Sequence, residues 1–205
     1  MIAIVDYGMG NLRSVEKGFL KVGIETGVTS SKADIDNADA VVLPGVGAFC
    51  DCMNNLQRLD LAGAVLKGIE VGKPYLGICL GLQVLFKDSE EFGHSEGMGV
   101  FDGRVVRFTG KGLKIPHMGW NTVKLRRRPP LFDGIGDESY FYFVHSYYVV
   151  PDDEGIIAGA TEYGTEFTSM VWKDNIIATQ FHPEKSQKTG LKILKGFGDF
   201  VKKHA

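Results

Sequence analysis

The segment that most restricts what this chain can fold into is Lys73–Gln83, which reads K-P-Y-L-G-I-C-L-G-L-Q. An apolar run, Tyr75-Leu76, enters Gly77-Ile78-Cys79-Leu80-Gly81, and a helix-like pattern carrying Gln83, Val84, Leu85 and Phe86 leaves it. Glycines on either side of the central residue let the backbone turn sharply and let a substrate approach closely. A helix beginning just past Cys79 aims free N–H groups and its positive end at the sulfur, which favours the thiolate. Read alone, the segment equally fits a buried structural cysteine in a glycine-rich turn, so the remainder of the chain has to decide.

The chain opens on the apolar strand Met1-Ile2-Ala3-Ile4-Val5, turns through Asp6-Tyr7-Gly8-Met9-Gly10-Asn11, and continues with Leu12, Val15, Phe19 and Val22 at helical spacing. A dinucleotide fingerprint would need a third glycine where Arg13 stands and an acidic residue closing a second strand, and neither is present. Ala38–Leu43 is the next apolar strand and runs directly into Pro44-Gly45-Val46-Gly47-Ala48-Phe49. Met53, Leu56, Leu61, Val65, Leu66 and Ile69 then mark an amphipathic helical region before the strand that ends at Cys79. Strands alternating with helices predict a doubly wound, mostly parallel sheet flanked by helices, whose ligands bind at the strands' carboxyl ends. The glycine turns at 8–10, 45–47 and 77–81 all follow strands, so they converge on that edge.

From Gly93 the texture changes. Val100–Phe108, Asn121–Leu125, Tyr140–Val150, Ile156–Thr161 and Thr168–Phe181 read as strands, with a hairpin turn at Lys173-Asp174-Asn175. They predict an antiparallel extension of the main sheet or a small second sheet, and Leu191, Leu194, Phe197 and Val201 mark a closing helix. No linker or internal repeat interrupts residues 1–205, which are read as one domain. Glycine is abundant, 27 of 205 residues, against an average of roughly 7%. Without a repeat, that excess means many tight turns and close backbone approach around a site.

Charge excludes some classes. A formal net charge of −2 and a pI near 6.2 give no general nucleic-acid or membrane surface. With no signal peptide at Met1-Ile2-Ala3 and no apolar run near 18 residues, the expected compartment is the cytoplasm. The three cysteines, Cys50, Cys52 and Cys79, have no disulfide-framework spacing, and Cys50-x-Cys52 has no second ligand pair nearby, so neither a metal nor another cofactor is expected. Arg126-Arg127-Arg128 before Pro129-Pro130 reads as a solvated loop.

A cysteine nucleophile needs a base, and the base needs an orienting group. Of His94, His117, His145, His182 and His204, only His182 has a setting that supplies both. It follows the apolar strand Ile176–Phe181, and in extended chain Glu184, two residues on, points the same way as His182. Pro183 stiffens the pair. Cys79, His182 and Glu184 thus form a candidate triad, recognised by role rather than order. The Leu80 N–H, just past the sulfur, and the Gly45-Val46-Gly47 turn are candidate oxyanion donors, although such a turn also serves simply as a tight strand-to-helix connection.

Taken together, P-G-V-G at 44–47, G-I-C-L-G-L-Q at 77–83 and Q-F-H-P-E-K-S at 180–186 resemble the class I (triad) glutamine amidotransferase family over essentially the whole chain. The resemblance implies a flavodoxin-like fold and glutamine hydrolysis, with Cys79 attacking the side-chain amide, His182 shuttling the proton and Glu184 orienting it. It implies that Gly47, Gln83 and the backbone around Ser146-Tyr147 hold the glutamine. The string K-I-P-H-M-G-W-N at 114–121, with D-Y-G-M-G-N at 6–11 and Lys185-Ser186, is similar to signatures of glutaminase subunits that serve imidazole glycerol phosphate synthases. That similarity implies a heterodimer with a (β/α)8 cyclase in histidine biosynthesis, docked through Asn11, Trp120, Asn121 and Lys185, with Tyr142 between pocket and partner. The alternative is the same glutaminase chemistry feeding another synthase, such as one that modifies surface sugars. Individually, His117 also fits a structural histidine, Trp120 a core residue and Lys185 a solvated lysine.

Overall fold

The computed structural model describes residues 1–110 and 112–204. The amino-terminal half alternates as the apolar pattern requires: β1 (Ile2–Val5), α1 (Leu12–Lys21), β2 (Thr26–Thr29), α2 (Lys32–Asn37) and β3 (Ala40–Gly45). Helices α3 (Phe49–Arg58) and α4 (Leu61–Glu70) follow, then β4 (Tyr75–Cys79) and a four-residue helix α5 (Leu80–Gln83). The helical region between β3 and β4 is two helices because Asp60 takes a left-handed conformation, φ 54°.

The next strands are β5 (Phe86–Ser89), β6 (Ser95–Glu96), β7 (Phe101–Arg107), β8 (His117–Leu125), β9 (Ser139–His145) and β10 (Tyr147–Pro151). The chain closes with β11 (Ile157–Glu162), β12 (Glu166–Lys173), β13 (Ile176–Thr179) and helix α6 (Gln187–His204). The strand expected over Tyr140–Val150 is two strands, broken at Ser146, and the expected hairpin turn lies between β12 and β13 with Asp174 at φ 51°. Phe86, expected on the helix after Cys79, opens β5 instead, because that helix lasts one turn.

Five strands run parallel in the order β2-β1-β3-β4-β13, and β12, β10 and β7 continue the sheet antiparallel. Strands β11, β8 and β9 branch from β12. The predicted mostly parallel sheet with an antiparallel extension is therefore present, and the extension is inserted between β4 and its parallel neighbour β13.

Apolar side chains divide by period two. Ala3 and Val5 face a core with Ile35, Phe49, Leu56 and Val65, while Ile2 and Ile4 face one with Val15, Phe19, Leu194 and Phe197. Both faces of β1 are covered, which is why it reads as an unbroken apolar run. Phe19 of α1 meets Phe197 of α6 with ring centroids 6.3 Å apart.

Ladder register places the three glycine turns. Gly45 lies opposite Cys79 in the β3–β4 pair, and Thr179 opposite Ile78 in the β4–β13 pair. A Cβ at Gly45 would stand 2.4 Å from the Tyr7 hydroxyl, so the segments after β1, β3 and β4 pack together. A Cβ at Gly81 would stand 1.8 Å from the Leu43 carbonyl oxygen, so no other residue fits there without backbone movement.

Gly81→Ala should therefore cost about 3 kcal/mol or more, whereas Gly72→Ala, at φ 87° with nothing within 4 Å of its Cβ, should cost about 1–2 kcal/mol in strain alone. Urea midpoints of the two variants measure the difference. Equal losses would contradict the packing constraint at Gly81.

Candidate active site

Cys79 ends β4 at φ 56° and ψ −102°, a backbone strained for a residue with a side chain. The strain is held from several directions. The Tyr75 hydroxyl donates to the Gly81 carbonyl at 2.7 Å, and a Cβ at Gly77 would come within 2.4 Å of that same oxygen. The turn lifts the sulfur off the strand edge while leaving Cys79 only 6% exposed.

His182 follows β13, the strand beside β4. Its backbone N–H donates to the Tyr142 carbonyl at 2.9 Å, and Ser186 Oγ donates to its carbonyl at 2.7 Å while accepting from the Tyr142 N–H at 3.0 Å. These bonds tie the segment after β13 to β9. His182 Nδ1 lies 2.8 Å from Glu184 Oε1, and both side chains are 2% exposed. The other ring nitrogen, Nε2, is buried beside Cys79 without a formed hydrogen bond, close enough to respond to its charge. Burial by itself lowers the basicity of this imidazole, but negative charge on Cys79 and Glu184 outweighs it and raises the pKa to about 10. A protonated imidazole held between the sulfur and the carboxylate is the arrangement that results.

The sulfur opens into a cavity of about 400 Å³. Val46, Gly47, Leu80, Gln83, Ser146, Tyr147 and Lys185 are among the residues that line it. Gly45 is set back in the ladder opposite Cys79. Asn11 is the capping position just before α1, and neither it nor Tyr142 is among the residues lining the cavity. Trp120 meets the Tyr142 ring edge-on at 6.1 Å, and Lys185 Nζ stands 5.9 Å from the same ring. Met118, Trp120 and Tyr140 remain exposed along β8 and β9, an apolar strip on one face of that pair. Asn121 is turned inward, its Nδ2 donating to the Glu162 carbonyl at 2.9 Å.

Glu91, Gln180 and His145 escaped the sequence reading. Glu91 is the only carboxylate lining the cavity among the described residues; burial pushes it above the ordinary carboxyl range, and the Phe49 N–H, donating to its Oε2 at 2.8 Å, pulls it back. It lies outside every motif, in the loop after β5. Gln180 Nε2 donates to Cys79 Sγ at 3.5 Å, and its position within Q-F-H-P-E was the available signal. His145 lines the cavity and meets His117 in the β8–β9 ladder. Burial lowers both histidines, His117 to about 4 and His145 to about 3.

Because these folded-state values lie below the unfolded value near 6.5, the native state binds fewer protons, and the contribution of each neutral ring is complete above pH 6.5. It is lost as pH falls toward 4. Denaturant midpoints of the wild type should drop more steeply between pH 6.5 and 4 than those of His117→Phe, by up to about 1.4 kcal/mol per pH unit. Parallel profiles would show that His117 is not held neutral.

Comparison with known proteins supplies the family. Residues 3–199 match the model of "Glutamine amidotransferase class-I". The chain is 55% identical to the imidazole glycerol phosphate synthase subunit HisH of Syntrophotalea carbinolica, over 97% of this chain and 100% of that protein. It is 49% identical to the subunit of the same name from Aquifex aeolicus, over 95% of this chain and 94% of that one. Among solved structures, PurLQS from Thermotoga maritima matches with a TM-score of 0.77 at 19% identity, over 98% of each chain, a likeness of fold. The glutaminase domain of Trypanosoma brucei CTPS matches at 0.67 and 17%, over 97% of this chain and 93% of that one. With its elbow, its buried imidazole–carboxylate pair and this match over nearly its full length, the chain belongs to the class I glutamine amidotransferase family.

Proposed function

We propose that this protein hydrolyses the side-chain amide of glutamine through a Cys79 thioester and passes the ammonia to a (β/α)8 cyclase, which makes imidazole glycerol phosphate and aminoimidazole carboxamide ribotide in histidine biosynthesis. The observation that carries the reading is the buried His182–Glu184 pair, whose imidazole lies beside the Cys79 sulfur that opens into the cavity. High identity to HisH proteins supports the choice of partner over a sugar-modifying synthase. No helix among the described residues is long and apolar enough to cross a membrane. All three cysteines are free thiols, the state a reducing cytoplasm maintains, and the proposal places the protein there.

In this mechanism the Cys79 thiolate attacks the amide carbon, and the carbonyl oxygen becomes an oxyanion. The Leu80 N–H and a peptide of the Gly45-Val46-Gly47 turn stabilise it; Gly47, at φ 98°, gives that turn its freedom. His182, protonated and held by Glu184, donates to the amide nitrogen, so ammonia leaves and a thioester remains. Water then gives a proton to His182 and attacks the thioester, which releases glutamate and restores the thiolate. Gln83 and the Tyr147 backbone hold the substrate, and Glu91 offers the counter-charge for its α-ammonium group. Free ammonia protonates in water, so its use is coupled to hydrolysis through a docked partner. Exposed Met118 and Trp120, with Lys185 and Asn11, form the docking face.

Steady-state assays of the complex with its cyclase test the reading. Cys79→Ala should lower glutamine turnover by roughly 10³-fold or more, with folding and partner binding retained. Glu184→Gln should lower it by about 10²-fold or more, because the imidazolium loses its counter-charge. Substantial glutaminase activity in Cys79→Ala would overturn the assignment.

A further inference from the structure

His117 and His145 take no part in the chemistry above, yet their hydrogen bonds lead to it. His145 Nδ1 lies 2.8 Å from the Tyr147 carbonyl. A carbonyl only accepts, so this nitrogen carries the hydrogen and His145 Nε2 presents a lone pair. His117 Nδ1 lies 3.0 Å from that lone pair and must donate to it. His117 Nε2 is then an acceptor, and Asn121 Nδ2 donates to it at 3.3 Å. The orientation of the Asn121 amide is fixed in turn by the Thr122 N–H, which donates to its Oδ1 at 2.8 Å. Every member of the series has a single self-consistent tautomer.

The series does not end at Tyr147. The same carbonyl accepts from Gln83 Nε2 at 3.0 Å, so both its lone pairs are filled. Gln83 Nε2 uses its second hydrogen on Gln180 Oε1 at 3.0 Å, and Gln180 Nε2 donates to Cys79 Sγ at 3.5 Å. The rings cannot drift. His117 is stacked between Phe143 and Tyr163, with centroids 4.9 and 4.0 Å away, and His145 packs on Phe108 and Phe167 at 5.2 and 5.1 Å.

We propose that His117 and His145 are positioning residues for the glutaminase site, fixing the Tyr147 carbonyl and through it the Gln83 and Gln180 amides that reach Cys79. The proposal rests on reading Cys79 as the nucleophile. Both rings stay neutral because burial lowers their pKa values, so the series is set by tautomer rather than charge. With the opposite tautomer, His145 would turn a lone pair toward the Tyr147 oxygen, and the repulsion would move the wall against which glutamine and Gln83 lie. The outer end of the series is Asn121, beside exposed Trp120, so the strand that faces the partner also carries the first donor.

Two variants separate positioning from simple packing. His117→Phe keeps a ring between Phe143 and Tyr163 but removes the donor, and His117→Asn restores a donor near Nδ1 without the ring. In the cyclase complex, His117→Phe should lower kcat/KM for glutamine about tenfold, and the rate of Cys79 alkylation by a glutamine-like chloroketone should fall by the same factor. His117→Asn should recover most of both, even with the lower melting temperature. Wild-type kcat/KM and alkylation in folded His117→Phe, or activity that merely follows melting temperature, would overturn the proposal. Should His117→Phe not fold, nitrogen-15 NMR of the wild type decides the matter. Nδ1-protonated tautomers at both histidines are expected, and an Nε2-protonated His145 would overturn it. A wild-type complex that neither consumes glutamine nor reacts with the electrophile would instead remove the underlying assignment of Cys79.

Discussion

Everything at this site depends on the contact between Gly81 and Leu43, where two backbones approach closely enough to exclude any side chain. That contact forces β4 to end abruptly, holds Cys79 at positive φ, and turns α5 back over the sheet edge. Leu80 is pressed against Gly45 by the same geometry, which keeps the Gly45-Val46-Gly47 turn close to the elbow of the chain at Cys79. The placement of the Cys79 sulfur, the strain of its backbone and the nearness of the Gly45 turn are thus one packing event rather than three separate features.

Sheet topology supplies the second partner. The antiparallel extension separates β4 from β13 by about a hundred residues, yet β13 returns to pair directly beside β4. His182 and Glu184 then emerge from the carboxyl end of the adjacent strand, at the height of the elbow. The extension also does work of its own: β9 and β10 wall the cavity through Val144–Tyr147, and β8 carries the exposed Trp120. Cys79 thus comes from one half of the chain and the His182–Glu184 pair from the other, and the extension that lies between β4 and β13 in sequence walls the cavity.

Much of this was legible in the residues. Apolar runs ending in glycine turns specified β1, β3 and β4, and the spacing of His182 and Glu184 specified an imidazole with its carboxylate. What escaped had weaker local signals. Strand β2, Thr26-Gly27-Val28-Thr29, is a partly exposed edge and carries no apolar run. Helix α2 is six residues long, too short to establish a period. The first part of β8 reads H-M-G-W-N, whose glycine and mixed polarity conceal a strand that is buried only at some positions. Glu91 and His145 were missed because their importance is entirely tertiary: one meets the cavity from a loop, and the other is defined by a hydrogen bond to a residue 28 positions away.

The central claim is that Cys79 forms a glutamyl thioester, and acid-quenched mass spectrometry of the cyclase complex during glutamine turnover addresses it most directly. The account predicts a glutamyl adduct on the peptide carrying Cys79, depleted when turnover is complete. Ammonia release with the adduct on another residue, or with no adduct when deacylation is slowed, would contradict it.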